Sequence, residues 1–150
     1  MSSDTDLIKL YSTRILAMAA EMPFTERLAA PDATVKRRSP LCGSTVTVDI
    51  ALTDGRISAY AQDVKACALG QAAASIVGQA IIGRSRPEVE TALAALKDML
   101  KSDGPTPEAP FDAFEMLRPA RDYKNRHASI LLALEATQQA MLEAEKAHCA

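Results

Sequence analysis

The sequence contains no tryptophan and few other aromatic residues, since three phenylalanines and three tyrosines make up 4% of 150 residues. This scarcity argues against a β-sandwich core or an aromatic ligand cage, and the abundant alanine favours closely packed helices. Basic residues number 17 against 19 acidic ones, for a formal net charge of -2. Without a basic excess, neither nucleic acid nor an anionic membrane surface is expected as a partner.

Long apolar runs are also missing. None approaches the roughly 18 residues of a membrane-spanning helix, and the polar N-terminus lacks the pattern of a signal peptide. The three cysteines are an odd number, which argues against a disulfide framework and for reduced thiols. We therefore expect a cytoplasmic protein with one core and a single domain over residues 1–150, in which thiol chemistry or metal binding is the natural question.

Apolar periodicity and helix-breaking residues predict helices on both sides of a strand region. They are expected from Asp6 to Met22, from Ala66 to Ile82, from Pro87 to Leu100, from Phe111 to Leu117 with Pro119 as its boundary, and from an Asn125 cap to Leu142. The predicted fold class is α+β: a three-stranded antiparallel sheet with one face covered by about five helices.

The strand region begins with Ala33–Ser39, whose Lys36-Arg37-Arg38 run is typical of an edge strand. That run could dock an acidic partner or could simply be solvated. Thr45–Leu52 alternates apolar and polar residues, which predicts a half-buried strand. Asp54-Gly55 predicts a type I′ hairpin turn. The turn would pair Leu52 with Ile57, Ile50 with Ala59 and Val48 with Ala61.

Two cysteines flank this hairpin. Cys42 lies in a turn before it, where Gly43 allows tight backbone, and Cys67 opens the alanine-rich helix after it. The antiparallel return brings both to one end of the sheet. Helix N-termini favour a thiolate, so Cys67 is suited to metal binding or nucleophilic attack. On spacing alone, small buried hydrophobic residues are the favoured interpretation of both cysteines, and metal binding is the less favoured one.

The motifs around these cysteines resemble those of the U-type iron–sulfur cluster assembly scaffolds, the IscU, NifU N-terminal and SufU group. Ser39-Pro40-Leu41-Cys42-Gly43 is similar to their Asn-Pro-x-Cys-Gly motif. The run from Cys67 to Ser75 resembles their Cys-Ala-Ile-Ser-x-Ala-Ser-Ala-Ser helix start, and Asp54-Gly55-Arg56-Ile57 their hairpin tip. The resemblance covers roughly residues 5 to 142, and the combination is more specific than any one motif.

The resemblance implies the SufE/IscU-like fold and a scaffold or carrier rather than an enzyme. It implies that iron or a [2Fe–2S] cluster binds through Cys42 and Cys67, with zinc as an alternative. A cysteine desulfurase and cluster-accepting proteins are the implied partners. We expect a monomer or a weak homo-oligomer.

The family's third cysteine, at the start of the last helix, is missing. Aligning Arg126 with the family arginine places Ser129 there, whereas aligning His127 with the family histidine places Ala128 there; the first alignment fits the apolar positions better. The family's aspartate two residues after the first cysteine is replaced by Ser44. Under either alignment of the last helix, the site lacks one thiolate.

A four-coordinate zinc or cluster site needs nearly all cysteine or histidine ligands. Besides Cys42 and Cys67, the candidates here are His127, Ser129 and Asp63, although His127 could be an ordinary cap and Asp63 a solvated charge. Any metal or cluster should therefore be held weakly or be absent. The alternatives are a degenerate adaptor that binds partners without metal and, more remotely, a thiol enzyme with Cys67 as nucleophile.

Overall fold

A computed structural model describes residues 12–40 and 43–149. Its elements are α1 (Thr13–Ala20), β1 (Ala33–Arg38), β2 (Thr45–Thr53), β3 (Arg56–Lys65), α2 (Ala68–Ala80), α3 (Arg86–Ser102), a 3-10 helix (Asp112–Asp122) and α4 (Lys124–Cys149). The α+β class is confirmed, with the predicted order of elements. The part of the predicted N-terminal helix before Ser12 lies outside the described residues.

The three strands form one antiparallel sheet in the order β1-β2-β3. The predicted pairing of Leu52 with Ile57 is confirmed. Next to it, a bulge in the hairpin shifts the remaining register by one residue, so the other two predicted pairs are wrong. Ile50 faces Tyr60 rather than Ala59, and Val48 faces Gln62 rather than Ala61.

The bulge gives the helix side of β3 its polar contacts. Tyr60 lies opposite the buried Ile50, and its hydroxyl is 3.1 Å from the hydroxyl of Thr137 on α4. The Gln62 amide donates to the carbonyl of Ala74 on α2 at 3.1 Å. Without the extra residue of the bulge, strand alternation would turn the Tyr60 and Gln62 side chains to the other face of the sheet. The register is therefore set by contacts with distant helices.

The helices form two layers over the sheet. α4 packs against β1 and β2, and α2 packs against β3 and α4, while α1 lies on α2 and α3 lies on α4. The buried apolar residues of all these elements form one cluster, whose largest fully buried members include Ile15, Ile50, Ile76, Leu96, Phe114 and Ile130. One core thus joins the sheet to both helix layers.

The other face of the sheet is partly covered by the segment 21–32, which the sequence analysis did not place. Asp49 of β2 is buried on that face, and its carboxylate accepts hydrogen bonds from the Arg27 guanidinium, at 2.6 and 2.8 Å, and from the Leu28 amide at 3.1 Å. The Thr34 hydroxyl on β1 adds a bond of 2.7 Å. This carboxylate fastens the segment across the sheet.

Several predicted helix boundaries need correction. Four helices end at Ala20, Ala80, Ser102 and Cys149 rather than at the predicted Met22, Ile82, Leu100 and Leu142. The helix predicted to end before Pro119 is a 3-10 helix that contains this proline, whose fixed φ suits 3-10 geometry. The last helix begins at Lys124, so Asn125 lies within it and is not its cap. α2 begins after Cys67 rather than at Ala66. α3 begins at Arg86, one residue before the predicted Pro87, with a capping box between Ser85 and Glu88.

Candidate functional site

Cys67 and the turn that contains Cys42 meet at one end of the sheet. Thr45, the first residue of β2, pairs with Lys65, the last residue of β3. Gly43 and Ser44 immediately precede this pair, and Cys67 follows it as the residue before α2. The predicted convergence of the two cysteine segments is therefore present in the strand register.

Cys42 itself lies outside the described residues. The turn around it is closed by two backbone hydrogen bonds: the Gly43 amide donates to the Ser39 carbonyl at 2.9 Å, and the Ser39 amide donates to the Ser44 carbonyl at 2.8 Å. Gly43 has φ of 73°, a left-handed conformation that favours glycine. This conformation explains a glycine directly after the cysteine.

A short row of side chains leads from the Cys42 turn to Cys67. The Ser44 hydroxyl lies 3.2 Å from the Ser129 hydroxyl on α4, and the Ser129 oxygen lies 3.7 Å from the Cys67 sulfur. Both serines are buried, whereas Cys67 is half-buried and so accessible to a small reagent or partner. The residue favoured for the position of the missing third cysteine is thus adjacent to Cys67.

Gly70, in the first turn of α2, makes this approach possible. A Cβ atom at this position would lie 2.3 Å from the Ser129 hydroxyl oxygen and 2.8 Å from the Ala66 Cβ, closer than non-bonded Cβ contacts in proteins. The missing side chain lets α4 present residue 129 to Cys67.

Two basic side chains lie beside the cysteine segments. Arg38 reaches the Cys42 turn, since its Nη2 lies 4.0 Å from the point where a Cβ of Gly43 would be. Lys65 is two residues before Cys67 and is exposed. The N-terminus of the 13-residue helix α2 adds the positive end of its dipole. These positive charges favour the approach of anions to this end of the sheet.

The other two candidates on α4 face elsewhere. Ala128 and His127 line a groove with residues of α3, on the side of α4 away from Ser129. The His127 Nε2 lies 3.1 Å from the Ala120 carbonyl and 3.0 Å from the Arg121 carbonyl, so it donates to the end of the 3-10 helix. Only Nδ1 of this ring remains for a ligand, and the structure does not bring His127 to Cys67.

Asp63 is exposed on β3 opposite Thr47. Strand alternation places it on the outer face of the sheet with Asp49, and in the described part of the chain no hydrogen bond joins it to Cys67 or Ser129. Within residues 12–40 and 43–149 no group of three or more His, Cys, Asp and Glu residues could hold a metal ion.

None of the described helices is long and apolar enough to cross a membrane.

The described donor set therefore consists of one thiol and two hydroxyls, with Cys42 on the adjoining turn. Thiolates bind iron and zinc strongly, whereas a neutral hydroxyl is a weak ligand that must ionise to match them. This arrangement defines a small α+β protein whose reactive groups are thiols at one end of a sheet.

Comparison with solved structures assigns the family. The chain resembles the crystal structure of a nitrogen-fixing NifU-like protein, N-terminal part, from Brucella abortus, with 42% identity and a TM-score of 0.91 over 94% of this chain and 98% of that chain. It shares the fold of a candidate SUF-system iron–sulfur cluster assembly scaffold from Fervidobacterium islandicum AW-1, with 18% identity and a TM-score of 0.78 over 89% and 98%. No family model and no curated protein sequence matches the chain.

The identity and coverage place this chain in the family of NifU-like N-terminal proteins, the U-type scaffold family. The resemblance inferred from the cysteine motifs is thus confirmed. The motif resemblance expected the third cysteine at residue 128 or 129, and of these two residues it is Ser129 whose side chain lies beside Cys67.

Proposed function

We propose that the protein is a cytoplasmic scaffold or carrier, not an enzyme, that receives iron, a [2Fe–2S] cluster or zinc through Cys42 and Cys67. The observation that carries this proposal is the half-buried Cys67 at the start of α2, beside the turn of Cys42 and next to Ser129. The U-type family and the scaffold function named for the F. islandicum structure support it.

In this proposal the two thiolates are the strong ligands and Ser129 is a weak third one. His127, through Nδ1, and Asp63 would have to move to complete the set, and water or a group of the accepting protein could take the same positions. Arg38 and Lys65 would attract sulfur anions delivered by a cysteine desulfurase. Cargo held by two thiolates should leave readily for a cluster-accepting protein.

The test is anaerobic reconstitution with iron and sulfide, and separately with zinc, followed by metal analysis and absorbance. The wild type is expected to bind metal, and Cys42→Ser and Cys67→Ser are each expected to lose most of it. Cys149→Ser is the matched control, since it removes the remaining cysteine outside the site. Equal metal content in the wild type and the Cys42→Ser/Cys67→Ser double variant would reject the proposal.

A second candidate function is an adaptor that binds sulfur-transfer partners without holding metal. The buried hydrogen bond between Ser44 and Ser129, both neutral where the family carries an acid and a thiol, favours it. An adaptor should bind a cysteine desulfurase equally well with and without both thiols. Pull-down of the desulfurase by wild type and by the double variant separates this candidate from the scaffold, which needs the thiols.

A further inference from the structure

A cationic trough runs along the seam between α3 and α4. These helices are antiparallel, since Arg86 of α3 pairs with Glu145 near the end of α4 and Lys101 at the end of α3 lies beside the start of α4. Two adjoining grooves follow the seam, of about 530 Å³ at the start of α4 and about 340 Å³ further along. We define the trough as these two grooves, which share Glu135.

The first groove of the trough has a mainly apolar lining, whereas the second groove is mixed and contains the exposed Leu142. Leu100 and Leu131 line the first groove, and Leu93 and Leu142 line the second. Leu142 is 38% exposed, one of the few large apolar side chains that are exposed in the described part of the chain. The distance along α4 from Lys124, in the first groove, to Leu142, in the second, is about 27 Å, which is long enough for a segment of a partner protein.

The walls of the trough are basic. Five cations line it, against the single carboxylate of Glu135: Arg37, Lys97, Lys101, Arg121 and Lys124. Arg121 pairs with Asp103 at 3.1 Å, but within the described residues no ion pair involves Lys97, Lys101 or Lys124. Because the chain as a whole has a net charge of -2, this strip is a local reversal of sign. Lys97, Lys101 and Lys124, beside the apolar side chains of the trough, complement a segment that is both acidic and apolar.

We propose that the trough is a docking site for an acidic segment of a partner protein that carries apolar side chains. The apolar side chains would cover Leu142 and its neighbours, and the carboxylates would pair with Lys97, Lys101 and Lys124. This surface lies on the side of α4 away from Ser129, so a docked segment would leave Cys67 and Ser129 uncovered. Of the basic run on β1, only Arg37 belongs to it.

The probe is a display library of random 16-residue peptides, selected on the full-length wild-type protein. Enriched peptides are expected to be acidic and to contain Leu, Ile, Met or Phe, and their binding should weaken with added salt. Lys97→Glu/Lys101→Glu should lower their affinity by about tenfold or more. Leu142→Ser should weaken the same peptides without changing their salt dependence.

The matched control is Arg14→Glu/Lys36→Glu, which makes the same change in charge at exposed positions outside the trough and should alter affinity less than about twofold. Circular dichroism verifies folding, and Lys97→Gln/Lys101→Gln replaces the reversal if that variant is unfolded. Absence of enrichment, enriched peptides without acidic bias, or equal affinity in the two charge-reversed variants would overturn the proposal. Tighter binding of single-stranded DNA than of any peptide would also overturn it, in favour of a general polyanion surface.

Discussion

Ser129 is the residue on which the chemistry of this site depends most. Its side chain occupies the space beside Cys67, whereas its neighbour Ala128 lies in the groove on the other side of α4. A cysteine at 129 would place a thiolate 3–4 Å from the Cys67 sulfur, on the order of the separations within a metal site. A cysteine at 128 would not reach it.

We therefore predict that Ser129→Cys raises zinc affinity by about tenfold or more, because a hydroxyl is replaced by a thiolate ligand. The measurement is competition with a chelator of known affinity, on the wild type and on Ser129→Cys. Ala128→Cys is the matched control, since it adds the same thiol one residue away. An equal gain in both variants, or in neither, would contradict the placement of residue 129 in the site.

Gly70 offers a second prediction. Replacing glycine by alanine within an exposed helix normally stabilises it by about 1 kcal/mol. Here the new Cβ would overlap the Ser129 oxygen and the Ala66 Cβ, so Gly70→Ala should destabilise the fold by about 1–3 kcal/mol. Urea unfolding measures the difference, and adding Ser129→Ala should recover part of it. A stabilised Gly70→Ala would show that α2 and α4 are further apart than described.

Sequence reasoning predicted the position of Cys67 but left residues 128 and 129 as alternatives. Which of these two residues lies beside Cys67 depends on the rotation of α4 about its axis. That rotation is set by packing against α2 and the sheet rather than by the local sequence pattern. The role of Gly70 is decided by a residue 59 positions away. His127 was predicted as a possible ligand or as a cap at the start of the last helix, but its ring donates to the carbonyls of Ala120 and Arg121 at the end of the preceding 3-10 helix.

At the scale of secondary structure elements, Asp49 connects three separate pieces of backbone: β2, β1 and the segment 21–32. The Arg27 guanidinium, followed by the Thr34 hydroxyl and the Leu28 amide, holds the pKa of Asp49 below its ordinary value against the effect of burial. The folded state thus binds a proton less readily than the unfolded state at this residue. Its contribution to stability is present above the unfolded pKa of about 3.9 and is lost as the pH falls through the folded value.

Asp49→Asn should lower the free energy of unfolding at pH 7 by about 2–3 kcal/mol, since it removes charge-assisted hydrogen bonds within a buried cluster. Carboxylates protonate between about pH 5 and pH 3. Over this range the free energy of unfolding of the Asp49→Asn variant should fall less than that of the wild type. Urea unfolding at several pH values measures both effects. Asp63→Asn, an exposed substitution on the same sheet face, is the control and should change little; equal effects of the two would contradict the anchoring role.

The order and type of the elements could be predicted from periodicity and turn residues, because each pattern is local. The bulge could not, since it depends on contacts that Tyr60 and Gln62 make with Thr137 and Ala74 in distant helices. The 3-10 helix was predicted too short because Pro119 was taken as a boundary. The segment 21–32, which partly covers the outer face of the sheet, was not predicted because its sequence has neither helical nor strand periodicity.

For the whole molecule, a single domain over residues 1–150 remains a prediction. The continuous core through both helix layers favours one cooperative unfolding transition. The chain has no tryptophan, so its fluorescence reports its three tyrosines, and Tyr60 lies in the core between β3 and α4. Burial, partly offset by its bond to Thr137, raises the pKa of Tyr60 above its ordinary value.

Replacing Tyr11 and Tyr123 by phenylalanine leaves Tyr60 as the single tyrosine reporter. In that variant, Tyr60 fluorescence, which follows the sheet–helix contact, and far-UV circular dichroism, which follows the helices, should give the same urea midpoint because one core joins them. Comparing the circular dichroism midpoint with that of the wild type controls for the two substitutions. Distinct midpoints for the two signals would divide the chain into separately folding units.

The row Ser44–Ser129–Cys67 also has a direction. A hydroxyl has one proton, so if Ser129 donates to the Cys67 sulfur, then Ser129 must in turn accept from Ser44. If the thiol donates to Ser129 instead, the opposite order along the row is allowed. The hydroxyl orientations of both buried serines are therefore linked to the direction of the bond between Ser129 and Cys67.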